Sequence, residues 1–266
     1  MEILIQPTAA DATRLVARII ARELRAKPGL TLGLATGKTM EAVYAELTRM
    51  HGEEQLSFAG CTTFNLDEYI GLQPNAPGAY RRYMQELLFD HVDIDPANTH
   101  LPDGNAEDLQ AESERYEQAI LDAGGIDLQL LGIGRDGHIG FNEPMSALLS
   151  RTREKALTPE TIIQNAGPFG SPDKVPHRAI TMGVGTILDS RRCLLLATGA
   201  AKAGIMAKAL EGPITAMVTA SALQLHPRCT VVVDEEAAAG LQAKPYYRWI
   251  FENEPEWEEF REPAGS

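Results

Sequence analysis

Residues 127–144, DLQLLGIGRDGHIGFNEP, set an apolar run directly ahead of a dense group of polar residues. Leu128 to Ile133 reads as a buried strand, and Gly132, Gly134, Gly137 and Gly140 permit the turns after it that other residues resist. Asp136, His138 and Glu143 follow within eight residues. Three ionisable groups this close to the end of a buried strand have the makings of a proton-transfer apparatus, which needs an acid or base held in place and tuned by its neighbours. An isolated Asp-Gly-His is as readily a polar loop whose histidine caps something nearby. The flanking glycines and Asn142-Glu143-Pro144 favour the built site.

The same grammar recurs on both sides of this stretch. Leu30 to Ala35 (LTLGLA) is a second buried strand, Thr36-Gly37-Lys38-Thr39 a turn, and Met40, Val43, Tyr44 and Leu47 give the next helix one apolar face. Strand, glycine-containing turn and helix together can present backbone N–H groups and a helix dipole to a phosphate. An ordinary helix start reads the same way, and the turn lacks the full spacing of a P-loop, which disfavours a nucleotide triphosphatase. Arg192 to Thr198 (RCLLLAT) is another buried strand, after which Gly199 begins a helix carrying Lys202. A lysine in a first helical turn opposes the dipole, so either a bound anion or plain solvation must account for it.

Towards the N-terminus, Glu2 to Gln6 is a strand, and Thr8 with Asp11 starts a helix whose Leu15, Val16, Ile19, Ile20 and Leu24 keep helical spacing until Pro28-Gly29. Cys61 to Leu66 (CTTFNL) leads into the adjacent carboxylates Asp67 and Glu68, whose repulsion can push two pKa values apart and supply a base. A helix cap or a solvated pair is the alternative. Helices over about Tyr80–Phe89 and Ala106–Leu121 come next. Beyond Pro144 lie a basic patch (Arg151, Arg153, Lys155) and a Pro/Gly-rich connection, GPFGSPDKVP, with few residues able to bury apolar area and therefore the expected mobile segment. Residues 179–188 return to order, and Cys229 to Val233 (CTVVV) is the last strand before Asp234 and a closing helix through about Trp249.

Short apolar strands alternating with helices predict a three-layer α/β fold, a mainly parallel Rossmann-like sheet with helices on both faces, in one domain spanning residues 1–266. Ligands of such sheets sit beyond the carboxyl ends of the strands. Thr36 to Thr39, Asp67, Asp136 to Glu143 and Lys202 each follow a predicted strand.

Composition bounds the rest. Hydrophobic residues at 44% and charged residues at 23% are ordinary globular usage. No run of about 18 apolar residues occurs and the N-terminus lacks the pattern of a leader, so a soluble, cytoplasmic protein without membrane attachment is expected. A net charge of −13 argues against non-specific nucleic-acid binding, which needs cations to neutralise phosphates, but not against a small anionic ligand held by local groups. The cysteines Cys61, Cys193 and Cys229 are too scattered for a zinc cluster or a disulfide framework.

The set LATGKT, TFNLDEYIGL, LLGIGRDGHIGFNEP, ITMGVGTIL and LQLHP resembles the glucosamine-6-phosphate deaminase (isomerase) family along nearly the whole chain. The resemblance implies conversion of glucosamine 6-phosphate to fructose 6-phosphate and ammonia in amino-sugar catabolism, with no redox cofactor and no catalytic metal. It assigns to Asp67 the proton transfer between carbons 2 and 1, to His138 the opening of the sugar ring, and to Asp136 and Glu143 the orientation of that histidine. Thr36, Gly37, Lys38, Thr39 and Lys202 match its phosphate-binding positions. Ser146, Arg153 and Lys155 match positions that form an N-acetylglucosamine-6-phosphate effector site between subunits in some hexameric members, which implies a homo-oligomer, a hexamer or smaller; the C-terminal aromatic partner, Tyr246 or Tyr247, aligns poorly. One departure concerns the phosphate. An arginine usual in the family on the loop after the active-site segment is missing from NAGPFG, where Lys38 offers a point charge without a guanidinium's fork. Galactosamine 6-phosphate is an alternative substrate, and 6-phosphogluconolactonase and a non-catalytic sugar-phosphate sensor are alternative functions. Asn142-Glu143-Pro144 and the intact NLDEYIGL favour the deaminase.

Overall fold

The computed structural model describes residues 1–261; the last five residues of the acidic tail, and with them the end of the expected domain, lie outside the described residues. The chain opens with β1 (Glu2–Gln6) and α1 (Ala9–Ala26), whose first turn is capped as the sequence predicts, Asp11 N donating to Thr8 Oγ1 at 3.1 Å. β2 (Thr31–Leu34) runs into α2 (Lys38–Glu54), then β3 (Thr62–Asn65), β4 (Asp67–Tyr69), α3 (Tyr80–Leu87), β5 (Thr99–His100) and α4 (Leu109–Asp122). β6 (Leu128–Leu131) is followed by a long loop to β7 (Arg153–Ala156), α5 (Pro159–Gln164), β8 (Arg178–Thr181), α6 (Val184–Leu188) and β9 (Cys193–Ala197). The chain then passes through α7 (Ala203–Leu210), β10 (Cys229–Asp234) and α8 (Lys244–Asn253).

Seven strands form one sheet in the order β1-β10-β9-β6-β2-β3-β5, and every neighbouring pair is parallel. The strands read as continuous apolar runs are the inner ones: β2, β6, β9 and β10 are buried at every residue, as strands covered on both faces must be. Gln129, in the middle of β6, is wholly buried, and its side chain fills the space beside Gly33 on β2, where a Cβ would overlap it. The mainly parallel, helix-flanked sheet is the architecture expected from the sequence. No helix among the described residues is long and apolar enough to cross a membrane.

The sequence pattern does not disclose a second sheet. β4, β8 and β7 pair antiparallel in that order, with Asp67 opposite Thr181 and Arg153 opposite Thr181 on the other side. Arg153 and Lys155 of the basic patch thus lie on a strand, with Arg151 just ahead of it, and the alternating exposure shows one solvated face. A small second core of Tyr69, Phe141, Leu157, Val175 and Ala179 lies beneath it. The connection GPFGSPDKVP is more ordered than its composition suggests: it makes two short 3-10 turns, buries Val175, and sets Phe169 edge-on to Tyr69 with ring centres 5.4 Å apart. Two element boundaries also differ from expectation. Ala200–Lys202 is a 3-10 turn, with α7 starting only after Lys202, and residues 235–240 are turns, so the closing helix starts at Lys244.

Candidate active site

β9, β6 and β2 are adjacent in the sheet, and the candidate groups sit on the turns at their carboxyl ends. After β6 the chain turns back on itself, Gly134 N donating to the His138 carbonyl at 2.8 Å, so Arg135, Asp136 and Gly137 form a tight projection. Asp136 Oδ1 accepts the His138 N–H at 3.1 Å and lies 2.7 Å from His138 Nδ1. That second approach is close but off the line a hydrogen bond prefers, so it acts chiefly as a charge contact. Burial raises the Asp136 carboxyl, but contact with the imidazole and its charge outweigh burial and hold it down at about 2.

Glu143 enters from the far end of the same loop. Its Oε1 accepts the Thr158 N–H at 3.1 Å, while Oε2 stands 3.6 Å from His138 Nδ1. Both carboxylates thus face the same ring nitrogen of His138. Oxygen or nitrogen atoms of Asp136, His138 and Glu143 all lie within 4.8 Å of one another, a spacing open to a divalent ion as well as to a proton relay.

Asp67 comes from β4, one residue past the break that follows β3. It is buried beside Thr181 and Gly140, with Oδ2 3.4 Å from where a Gly140 Cβ would stand, so the loop carrying His138 also walls Asp67. Desolvation, reinforced by the charge of Glu68, pushes the Asp67 carboxyl up to about 8 in spite of the Thr181 hydroxyl and Phe141 N–H close to it. Glu68 has a different job from its neighbour. Its oxygens accept the N–H groups of Tyr69 at 2.8 Å, Tyr80 at 3.0 Å and Arg81 at 2.9 Å, capping α3. Glu68 therefore serves as the cap that the sequence offered as one reading of the pair, and burial raises both carboxyls, that of Asp67 to about 8.

The turn after β2 leaves Gly37 at φ 111° as the residue before α2, with no side chain capping the helix. Lys38 is exposed, Thr36 and Thr39 partly so, and Tyr83 donates its hydroxyl to the Gly37 carbonyl at 2.8 Å. From the turn after β9, Lys202 reaches over to β6 and donates Nζ to the Ile133 carbonyl at 2.6 Å. Burial lowers the Lys202 pKa first, the charge of Arg135 lowers it further, and Asp136 works against both.

Ser146 is buried behind the loop, and Arg153 and Lys155 share the partly buried face of β7. Arg153 NH1 donates to Asn142 Oδ1 at 2.9 Å, tying that strand to the site loop. Sequence reasoning passed over Arg135, although it stands inside the motif, and gave Glu68 no task of its own.

The model of the glucosamine-6-phosphate isomerase/6-phosphogluconolactonase family matches residues 6–232. The chain belongs to this family. Within it, the glucosamine-6-phosphate deaminase of Hahella chejuensis (strain KCTC 2396) is 54% identical over 245 residues, covering 91% of this chain and 94% of the relative. That of Arthrobacter sp. (strain FB24) is 48% identical over 258 residues, with 97% and 99% covered. A solved monomeric glucosamine-6-phosphate deaminase, 48% identical, matches 90% of this chain and 100% of its own with a TM-score of 0.88. The 6-phosphogluconolactonase of Trypanosoma brucei shares the fold of this isomerase/lactonase family member at a TM-score of 0.69 with 21% identity, covering 91% of this chain and 98% of its own.

Proposed function

We propose that the protein is an isomerising glucosamine-6-phosphate deaminase, and that the residues assembled at the ends of β2, β3, β6 and β9 carry the reaction. The observation that carries this reading is the pair of separated acid–base centres, Asp67 and His138, walled by one loop. A lactonase needs only to deliver water to an ester. Moving hydrogen between two carbons needs a base of its own, apart from the group that opens the ring.

His138, oriented by Asp136 and Glu143, moves the proton between the ring oxygen and the carbon 1 hydroxyl as the pyranose opens to the aldehyde. Asp67, as carboxylate, removes the hydrogen from carbon 2 and returns it to carbon 1. The carbon 1 oxygen takes up the proton that the substrate ammonium gives up, so the amine stands on an oxidised carbon 2 as an iminium; water adds there, ammonia leaves, and fructose 6-phosphate remains. A base near 8 is strong enough for a carbon acid, and the substrate's own ammonium ion favours the ionised form when it binds. Thr36, Gly37, Lys38, Thr39 and Lys202 hold the phosphate, the backbone N–H groups opening α2 being free of a side-chain cap. The buried free cysteines suit the reducing cytoplasm, where sugar phosphates are handled.

The same reading makes Ser146, Arg153 and Lys155 an effector patch for N-acetylglucosamine 6-phosphate, with the Arg153–Asn142 contact as its link to the site loop. The monomeric relative makes a subunit-spanning version of that patch the part to test first, by comparing oligomeric state and rate with and without the effector.

Purified protein should release ammonium and fructose 6-phosphate from glucosamine 6-phosphate in equal amounts, faster than from galactosamine 6-phosphate. Asp67→Asn should nearly abolish turnover while sparing ligand binding. Hydrolysis of 6-phosphogluconolactone without ammonium release from any hexosamine 6-phosphate would overturn the reading, and binding with neither reaction would make the protein a sensor.

A further inference from the structure

The loop that lacks the expected arginine faces the phosphate turn: Gly167 of NAGPFG lines, with Gly37 and Lys38, a cavity of about 640 Å³. Nothing in that loop supplies a guanidinium, and Arg82, which also lines the cavity, is held by Glu86 at 2.7 Å. A guanidinium does stand on the next turn along the sheet. Lys202, from the end of β9, is pinned by its Nζ to the carbonyl of Ile133, and Arg135 follows Ile133 by two residues in the same chain. The base of Arg135 is fixed by the hydrogen bonds that close the Gly134–His138 turn, while its side chain is exposed and makes no hydrogen bond or ion pair among the described residues.

Many arginines of this chain are held by carboxylates. Acidic residues outnumber basic ones 37 to 24, and other arginines show what the surplus does: Arg151 is held by Glu117 and Asp189, and Arg192 by Glu23 and Glu256. Arg135 instead stands beside a second cation close enough to depress the Lys202 pKa, with Lys38, in no ion pair among the described residues, on the turn at the other side of β6. Cations gathered at one end of a sheet repel one another unless an anion fills the space between them.

We propose that Arg135 is a phosphate-contacting residue of this site, swinging in with Lys202 to grip the sugar 6-phosphate in place of the arginine missing from NAGPFG. The proposal rests on the deaminase reading for the identity of the sugar but not for the anion. A guanidinium offers two parallel N–H donors to a phosphate, which an ammonium does not, so Arg135 supplies orientation as well as charge. Its neighbours Asp136 and His138 belong to the ring-opening group, so a phosphate held by Arg135 is fixed relative to the atoms that react.

The test compares wild type, Arg135→Ala and Arg135→Lys at fixed ionic strength, reading kcat and KM for glucosamine 6-phosphate and the inhibition constant of inorganic phosphate. Arg135→Ala should raise both KM and the phosphate constant about tenfold with kcat within about twofold, and Arg135→Lys should recover part of the loss. Unchanged KM and phosphate inhibition in Arg135→Ala would overturn the proposal. So would a fall in kcat alone, the signature of disturbing His138 next door. Calorimetric titration with inorganic phosphate separates this proposal from the reaction assignment. If the wild type releases no ammonium yet binds phosphate about tenfold more tightly than Arg135→Ala, the anion site stands and the deaminase reading falls; equal binding, or none, overturns the site.

Discussion

His138 Nδ1 lies 2.7 Å from Asp136 Oδ1, and the aspartate, held at about 2, is ionised wherever the enzyme works. The contact holds the imidazole ring against the aspartate, so Asp136 acts as a positioning residue for His138. Asp136→Asn keeps the shape and removes the charge. Steady-state kinetics should show kcat down roughly 10- to 100-fold with KM little changed, since oriented acid–base groups contribute factors of this order and above. An unchanged kcat would leave Asp136 a purely structural turn residue.

Asp67 makes the pH dependence unusual for a carboxylate. Its ordinary value of 3.8 is raised to about 8 in the folded protein, so the native state keeps a proton that the unfolded chain gives up. Stability from this group is full below about pH 4 and falls as the pH rises towards 8, the opposite of a salt-bridged aspartate. Chemical denaturation at pH 5 and pH 8 should show wild type losing more stability across that interval than Asp67→Asn. A carbon-13 titration of the free protein should place the Asp67 carboxyl midpoint near 8 and well above the other aspartates. A midpoint near 4 would mean that water reaches the carboxylate.

Glu68 carries stability, beside the proposed base Asp67. Removing it leaves three N–H groups, of Tyr69, Tyr80 and Arg81, without their acceptor at the start of α3. Glu68→Ala should cost about 2 kcal/mol in urea denaturation, as the loss of a cap and of buried hydrogen bonds does. Because Tyr80 and Tyr83 of α3 line a cavity with Gly37 and Lys38 of the proposed phosphate turn, KM should rise along with the loss of stability.

The sequence reveals much of this architecture because the inner strands are buried on both faces and therefore read as unbroken apolar runs bounded by glycine. Leu128–Leu131 and Cys193–Ala197 needed no partner to be recognised. The antiparallel sheet was hidden for the converse reason: β4 is three residues long and β7 reads Arg-Glu-Lys-Ala, a charged run whose strand character comes only from pairing with β8. In the site, Asp136, His138 and Glu143 are close in sequence and were legible as a group. The meeting of Asp67 with Gly140, and of Lys202 with Ile133, depends on which strands lie side by side, which spacing along the chain does not encode.

Gly134 gives the sharpest separation of site from scaffold. A Cβ there would overlap the His138 imidazole, whereas a Cβ at Gly132, two residues earlier, meets only the flexible end of Met40, at 3.4 Å. Neither glycine needs positive φ, so alanine fits the backbone at both places and only the neighbours decide the outcome. Gly134→Ala must push His138 out of register with Asp136 and Glu143, because the main chain around it is fixed by the 2.8 Å bond from Gly134 N to the His138 carbonyl. We expect kcat to fall about 100-fold, the cost typical of a misplaced catalytic group, with the thermal midpoint shifted by only a few degrees. Gly132→Ala should keep kcat within about threefold. Equal activity in the two variants, with both folded, would show that the position of His138 does not limit the reaction and would move the ring-opening step elsewhere.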